Sequence, residues 1–198
     1  DPKASGRAGE TIELFNGEDL AGWTPWLSDS SVDPSTVWSV ADGVLRCEGS
    51  PAGYIRTNEC YEDFILELEW RFDPARTGNS GVLMRATGPD RIWPRSIEAQ
   101  LMHRNAGDIW NIGEVPMRVD PARNEGARTR KALPCNEVEP GGWNRYRIVL
   151  DGGELALEVN GELQNAASWC ERVAGHICLQ SEGAAIEFRR IRLTPLLR

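Results

Sequence analysis

The residues of this chain that could do chemistry gather in its middle third. In SIEAQLMHRNAGDIW, Ile97, Ala99 and Leu101 alternate with polar side chains, so Glu98 and Gln100 project from one face of a β-strand. Same-face neighbours on a strand lie about 6.8 Å apart, at roughly 3.4 Å per residue. Two carboxylates at that spacing can flank a glycosidic bond in a double displacement. Here the second member is an amide, so an ordinary retaining mechanism would need Glu69 or Asp108 to stand in from elsewhere. His103 and Asp108 follow the strand directly and are candidate acids. With Glu98 they form a set that could hold a divalent ion. Arg85 is the candidate stabiliser of developing negative charge. Simpler roles compete for each residue. Glu98 could be a solvated carboxylate paired with an arginine, Arg85 and Arg71 could pair structurally with Glu69 or Glu67, and Asn79-Ser80-Gly81 is a turn before it is a ligand contact.

Positioning these groups requires strands. FILELEWRF places Phe64, Leu66, Leu68, Trp70 and Phe72 on one face and Glu67, Glu69 and Arg71 on the other, and GVLMRA puts Arg85 on the side of Leu83 and Gly81. If the segments 64–72, 80–86 and 96–102 are neighbours in one antiparallel sheet, Glu69, Arg71, Arg85, Glu98 and Gln100 line one polar, partly shielded surface. Farther along, HICLQSEGAAIEFRRIRL supplies two strands, with Gln180 and Glu187 on the polar face opposite Ile177, Leu179, Ile186 and Phe188. Asp42-Gly43 marks a tight hairpin, and a second hairpin turns at Asp151-Gly152-Gly153 and is closed by Asn160-Gly161. Residues 1–10 lack any period and are expected to be a flexible tail, with a single domain over 11–198. The Pro- and Gly-rich stretch 111–142 is expected to cover or rim the site rather than join a sheet. Many short strands, close turns, no sustained amphipathic helix and no fixed repeat predict an all-β sandwich or jelly roll.

Composition narrows the partners. The 198 residues are 40% hydrophobic and 26% charged, which suits one globular domain. A net charge of −8 argues against nucleic acid, whose phosphates need a concentrated basic face. A neutral polar ligand fits better, and eight Trp offer platforms for the apolar faces of sugar rings. Trp38 and Trp70 fall in core positions. Trp93, Trp110 and Trp143 lie beside loops where a site rim could be, and Trp23 and Trp26 are expected to cover a sheet edge. Five Cys show no zinc spacing with either His, and Cys135 and Cys170 could pair outside the cytoplasm. No apolar run approaches the ~18 residues of a membrane span. A chain that starts at Asp1 is what removal of an upstream export segment would leave.

LFNGEDLAGW, WSVADGVLRCEG, YEDFILELEWRF, GNSGVLMR, IEAQL, GDIW, GGWNRYRIVLDGG, VNGE and GHICLQSEGAAIEFRRIRL follow one another in an order that resembles the 3-keto-disaccharide hydrolase domain family, over about residues 12–197. The resemblance implies a concanavalin A-like jelly roll of two curved antiparallel sheets, in proteins that are usually bacterial and exported to the periplasm or beyond. It implies carbohydrate as the partner, in the form of glycosides oxidised to a ketone at sugar C3. Glu69, Arg71, Asn79, Ser80, Arg85, Glu98, Gln100, Asp108 and Gln180 match the family's polar-face positions, and Trp110 adjoins them in GDIW. Arg190 stands where the family more often has Asn. A C3 ketone acidifies the proton on C2, so one base can take it and the C1 substituent can leave by elimination before water adds back. On that reading Glu98 is the base, Arg85 or a bound cation the stabiliser, and His103 or Asp108 the acid. A non-catalytic carbohydrate-binding module using the same groove is the other reading, since one fold hosts both functions.

Overall fold

Two-residue turns set the register of the hairpins. Asp42 and Gly43 have φ of 56° and 74°, and Asn160 and Gly161 have 50° and 84°. Positive φ at both central positions is the type I′ geometry whose twist matches the flanking strands. The structure is a computed structural model and describes residues 6–197. Its strands are β1 (Arg7–Ala8), β2 (Ile12–Glu13), β3 (Trp23–Leu27), β4 (Trp38–Ala41), β5 (Val44–Cys47), β6 (Gly53–Thr57), β7 (Phe64–Phe72), β8 (Gly81–Thr87), β9 (Arg95–Gln100), β10 (Ile109–Ile112), β11 (Asn124–Glu125), β12 (Arg128–Thr129), β13 (Asn144–Asp151), β14 (Glu154–Val159), β15 (Glu162–Ala167), β16 (His176–Ser181) and β17 (Ile186–Leu197). Among the described residues the sole helical element is a 3-10 turn at Pro34–Thr36.

The strands form two antiparallel sheets. The first has the order β15-β14-β13-β7-β17-β5-β4, with β1 and β2 also on β17, and the second runs β11-β12-β10-β9-β8-β16-β6-β3. This is the jelly-roll sandwich the alternation predicts. Phe64, Leu66, Leu68, Trp70 and Phe72 on β7 face Val82, Met84, Ile97, Ala99, Leu101, Ile177 and Leu179 of the second sheet in one buried cluster. Truncating any one of these leucines to Ala would cost about 2–5 kcal/mol through lost burial and the cavity left behind. Trp38 and Trp70 are fully buried there. Pro25, which cannot donate to a ladder, sits on the edge strand β3, and Trp23 and Trp26 belong to that edge rather than covering one.

Several expectations are corrected. β8 and β9 are neighbours as expected, but β7 pairs with β13 and β17 in the other sheet. Its polar face points out of the opposite side of the sandwich. Alternation reveals that a strand has a polar face, not which layer that face belongs to. The expected tail is partly ordered, because Arg7 and Ala8 pair with Leu197 and Leu196; residues 1–5 of that tail lie outside the described residues. The stretch 111–142 is not wholly loop: β11 and β12 form a small hairpin that extends the second sheet from β10. All five cysteines are free, Cys170 buried and Cys135 exposed, so the Cys135–Cys170 pairing does not occur. Cys135 turns instead toward the Glu137 carboxylate.

Candidate functional site

The outer face of the second sheet carries the site. β8 lies between β9 and β16, with Gly81 opposite Gln100 and Asn79 bridging to Glu182. Because neighbouring side chains on a strand alternate in direction, Glu98 and Gln100 on β9 turn outward while Ile97 and Ala99 enter the core. On β16, Cys178, Gln180 and then Glu182 continue the outward column between Ile177 and Leu179. Gly81 leaves the gap into which these side chains lean. A Cβ there would lie 2.1 Å from Gln180 Oε1 and 2.3 Å from Glu98 Oε1, so both oxygens crowd the space above the glycine. Around them is a cleft of about 420 Å³, bounded by Trp93, Trp110, Asn79 and Asn111.

Burial controls the electrostatics. Glu98 is 5% exposed and Gln180 is 2% exposed. Among the described residues, Glu98 Oε1, Gln180 Oε1 and Asn79 Oδ1 have no hydrogen-bond partner. Desolvation pushes the Glu98 carboxyl well above the usual carboxylate range, and the charge of Glu182 pushes it further in the same direction. Glu182 is itself raised by burial, against the opposing effect of the Trp93 Nε1 bond to its Oε1 at 3.3 Å. Gln100 is fixed by the backbone amides of Leu101 and Met102, which donate to its Oε1 at 2.8 Å, leaving its NH2 as the free end. Asn111 is tied at both ends to Val115 and holds the cleft wall.

Glu98, Gln100, Asn79 and Trp110 come together in this cleft, and Gln180 joins them across Gly81. The other expected residues are elsewhere. Glu69 is held by Arg189 at 2.6 Å and Arg190 at 3.0 Å on the first sheet. Arg71 bonds Glu187 at 2.5 Å and stacks over Trp143, which is therefore no rim of the cleft. Arg85 does not share the side of Leu83 and Gly81, because it adopts φ of 51° where the β8–β9 register shifts. That bulge sends its guanidinium to the carbonyls of Glu62, Glu171 and Gly152 and to Asp63 at 3.0 Å. Burial pulls its pKa down and Asp63 pulls it back up. Ser80 is buried and donates to the Gln180 carbonyl, tying β8 to β16. His103 faces Glu137 at 3.5 Å. Asp108 is taken by Arg128 at 2.6 Å and by the Lys131 amide. Glu98, His103 and Asp108 thus form no common site, and among the described residues no three His, Cys, Asp or Glu side chains are grouped to hold a metal.

The sequence reading missed Glu182. The signal was the same two-residue spacing applied at Glu98, since Cys178, Gln180 and Glu182 alternate with core residues. Glu187, chosen instead, pairs with Arg46 and Arg71 on the first sheet. There they border a second cleft of similar size, in which both arginines are taken by Glu187.

Residues 10–194 match the profile of the 3-keto-alpha-glucoside-1,2-lyase-like domain. The chain belongs to that family. Its fold is similar to a Parabacteroides distasonis structure provisionally assigned as a glycosyl hydrolase, at 22% identity and a TM-score of 0.69 over 94% of each chain. It is also similar to a carbohydrate-binding module of Bacillus subtilis (12% identity, TM-score 0.61, 86% of this chain and 94% of that one). A Bacillus licheniformis beta-glucanase matches at 12% identity and a TM-score of 0.63, over 96% of this chain and 99% of the other. These likenesses show the fold. No curated protein matches the chain in sequence. Among the described residues no helix is long and apolar enough to cross a membrane.

Proposed function

We propose that this protein cleaves glycosides bearing a ketone at sugar C3, with Glu98 as the group whose proton the chemistry uses. The observation that supports this is a buried carboxyl with an unpaired oxygen facing a cleft flanked by two tryptophans. A carboxyl whose pKa is displaced upward by burial holds a proton where an ordinary carboxylate has lost it, and so has one to exchange. The C3 ketone makes the C2 proton acidic, so the double carboxylate of an ordinary retaining site on one strand is not needed, which suits a strand whose second position is Gln100. Since Arg85 is occupied within the fold, Asn79, Gln100 and Gln180 are the polar side chains left to bind the sugar.

The other reading is a carbohydrate-binding module in the same cleft. Trp93, 55% exposed at the cleft edge, favours it as a stacking platform. Incubating the protein with a 3-keto disaccharide and with the unoxidised disaccharide separates the two. Release of sugar from the keto compound alone is expected. Binding of either compound without release would replace the catalytic reading with the binding one.

A further inference from the structure

The cleft holds a chemical imbalance. Three buried side-chain oxygens, from Asn79, Glu98 and Gln180, accept nothing, and no Lys, Arg or His lines the cleft among the described residues. Unpaired buried acceptors are unfavourable unless something donates to them. A carboxyl that keeps its proton turns one acceptor into a donor without recruiting another group, and Glu98 is the carboxyl so placed. Its Oε1 stands above Gly81 beside Gln180 Oε1. Glu182 closes the same outward column, opposite Asn79, and reaches the cleft from a less buried position. Burial raises the Glu182 carboxyl, and the indole of Trp93, which donates to its Oε1, opposes that effect by favouring the ionised form.

We propose that Glu98 and Glu182 act as a one-proton pair, Glu98 as the acid and Glu182 as the base, on the C1–C2 bond of a glycoside activated by a neighbouring ketone. This rests on the functional reading above and assigns its proton steps to two residues. The Glu182 carboxylate takes the proton from C2, and the electrons of that C–H bond form the C2–C3 double bond of an enolate. Collapse of the enolate restores the C3 carbonyl, forms the C1–C2 double bond and breaks the bond from C1 to the departing oxygen. That oxygen leaves with the electron pair and takes the proton from Glu98. Glu182 then carries one proton and Glu98 none, so the pair still holds one proton, and its return to Glu98 resets the site.

The surroundings fit such a division. Desolvation by the sheet makes Glu98 harder to ionise, and the charge of Glu182, after β16, adds to it. Across the sandwich, Tyr146 on β13 of the first sheet is fully buried, and burial holds its phenol neutral. Two carboxyls that line one desolvated cleft do not both ionise readily, which keeps one proton on the pair over a range of pH.

The test has two independent arms. The first needs no substrate. In the protein labelled with carbon-13 at glutamate Cδ, the Glu98 titration is followed in the unmutated chain and in Glu182→Gln. Removing the neighbouring charge is expected to move that titration to lower pH, and an unchanged midpoint would overturn the pair. The second arm is turnover of a 3-keto-α-glucoside as a function of pH, with melting curves to establish that each variant is folded. Glu182→Gln is expected to lower kcat by about 10²-fold or more and to remove the acid limb of the profile. Glu98→Gln should remove the alkaline limb, and the double variant should be little worse than either single one, as for residues acting as a unit. Turnover with Glu182→Gln fully active overturns the pair while leaving the functional reading intact. Coupled titration with no turnover of any keto glycoside overturns both the assigned chemistry and the functional reading. Loss of activity on adding EDTA, restored by Mn²⁺ or Ca²⁺, also overturns the pair, because a bound cation would call for both carboxylates ionised.

Discussion

Gly81→Ala separates the site from the fold more cleanly than any change to an acidic residue. Gly81 begins β8 in extended backbone that Ala adopts without strain. The new methyl would arrive 2.1 Å from Gln180 Oε1, 2.3 Å from Glu98 Oε1 and 2.9 Å from Glu98 Cδ. All three atoms are at or near the ends of flexible side chains, so the tips move and the backbone does not. Restoring ordinary contact takes a shift of roughly 1 Å, a misplacement that can cost about 10²-fold in rate. The stability ledger nearly cancels. Loss of glycine's freedom in the unfolded chain contributes about 0.4–1 kcal/mol, and holding a side chain off its preferred rotamer costs about 0.5–1.5 kcal/mol. For a domain of this size 1 kcal/mol moves Tm by about 2–4 °C. The assay is a melting curve beside keto-glycoside turnover, read against the Glu98 titration in the same variant. A Tm within about 4 °C of the parent with turnover down about 10²-fold is the expected result. Full turnover would refute the placement of the chemistry over Gly81, and a collapse in Tm would refute the claim that only side-chain tips yield.

The same geometry fixes three further outcomes. Arg85→Ala strips Asp63 of a buried partner, and breaking such a pair costs about 3–5 kcal/mol; urea titration should show that loss, and an Arg85→Ala protein as stable as the parent would restore Arg85 as a candidate ligand. Arg71→Ala removes a partly exposed pair with Glu187, so denaturation should report no more than about 1 kcal/mol and turnover should be unchanged. Glu98 has a folded pKa above its unfolded value of about 4.3. The folded state therefore binds more protons between the two values, and its stability falls as pH rises through that window, by at most about 1.4 kcal/mol per unit. Glu98→Gln should remove this slope and be at least as stable as the parent at alkaline pH; an unaltered pH–stability curve would mean that Glu98 ionises freely.

Period-two alternation was enough to read the strands, their buried faces and the two tight hairpins, because each follows from which side chains can share one core. Assigning strands to layers was not possible on that basis. β7 and β8 follow one another closely, but the chain crosses from one sheet to the other between them, and nothing in DPARTGNS distinguishes a crossover from a hairpin. Backbone irregularities misled in the same way. Arg85 counts as outward by alternation, but one residue in left-handed geometry turns it into the interior. Arg190, where the family more often has Asn, shows the same effect on β17: its φ is 53° at a register shift, a conformation Asn tolerates better. The departure is therefore a local backbone cost, offset in part by the Arg190 bond to Glu69.

What distinguishes the two outer faces is the company their acids keep. On the first sheet the partly buried outward carboxylates of β7, β14 and β17 have cations: Glu67 meets Arg145, Glu69 meets Arg189 and Arg190, Glu158 meets Arg147, and Glu187 meets Arg46 and Arg71. Such pairs at a surface contribute little singly and give a ligand nothing to bind. That arrangement was visible in the sequence as acids and arginines interleaved along ELEWR and EFRRIR. On the second sheet Glu98, Gln100, Gln180 and Glu182 gather at a cleft that no arginine lines among the described residues, and Arg56, opposite Cys178, is taken by Asp90. An unpaired acceptor that is also buried costs about 1–3 kcal/mol, a cost that packing alone gives no reason to keep. Three such oxygens, from Asn79 before β8, Glu98 on β9 and Gln180 on β16, await donors, and the hydroxyls of the sugar proposed above would supply them. The absence of basic residues from the cleft lining, more than the presence of an acid in it, is what sets this face apart in the structure.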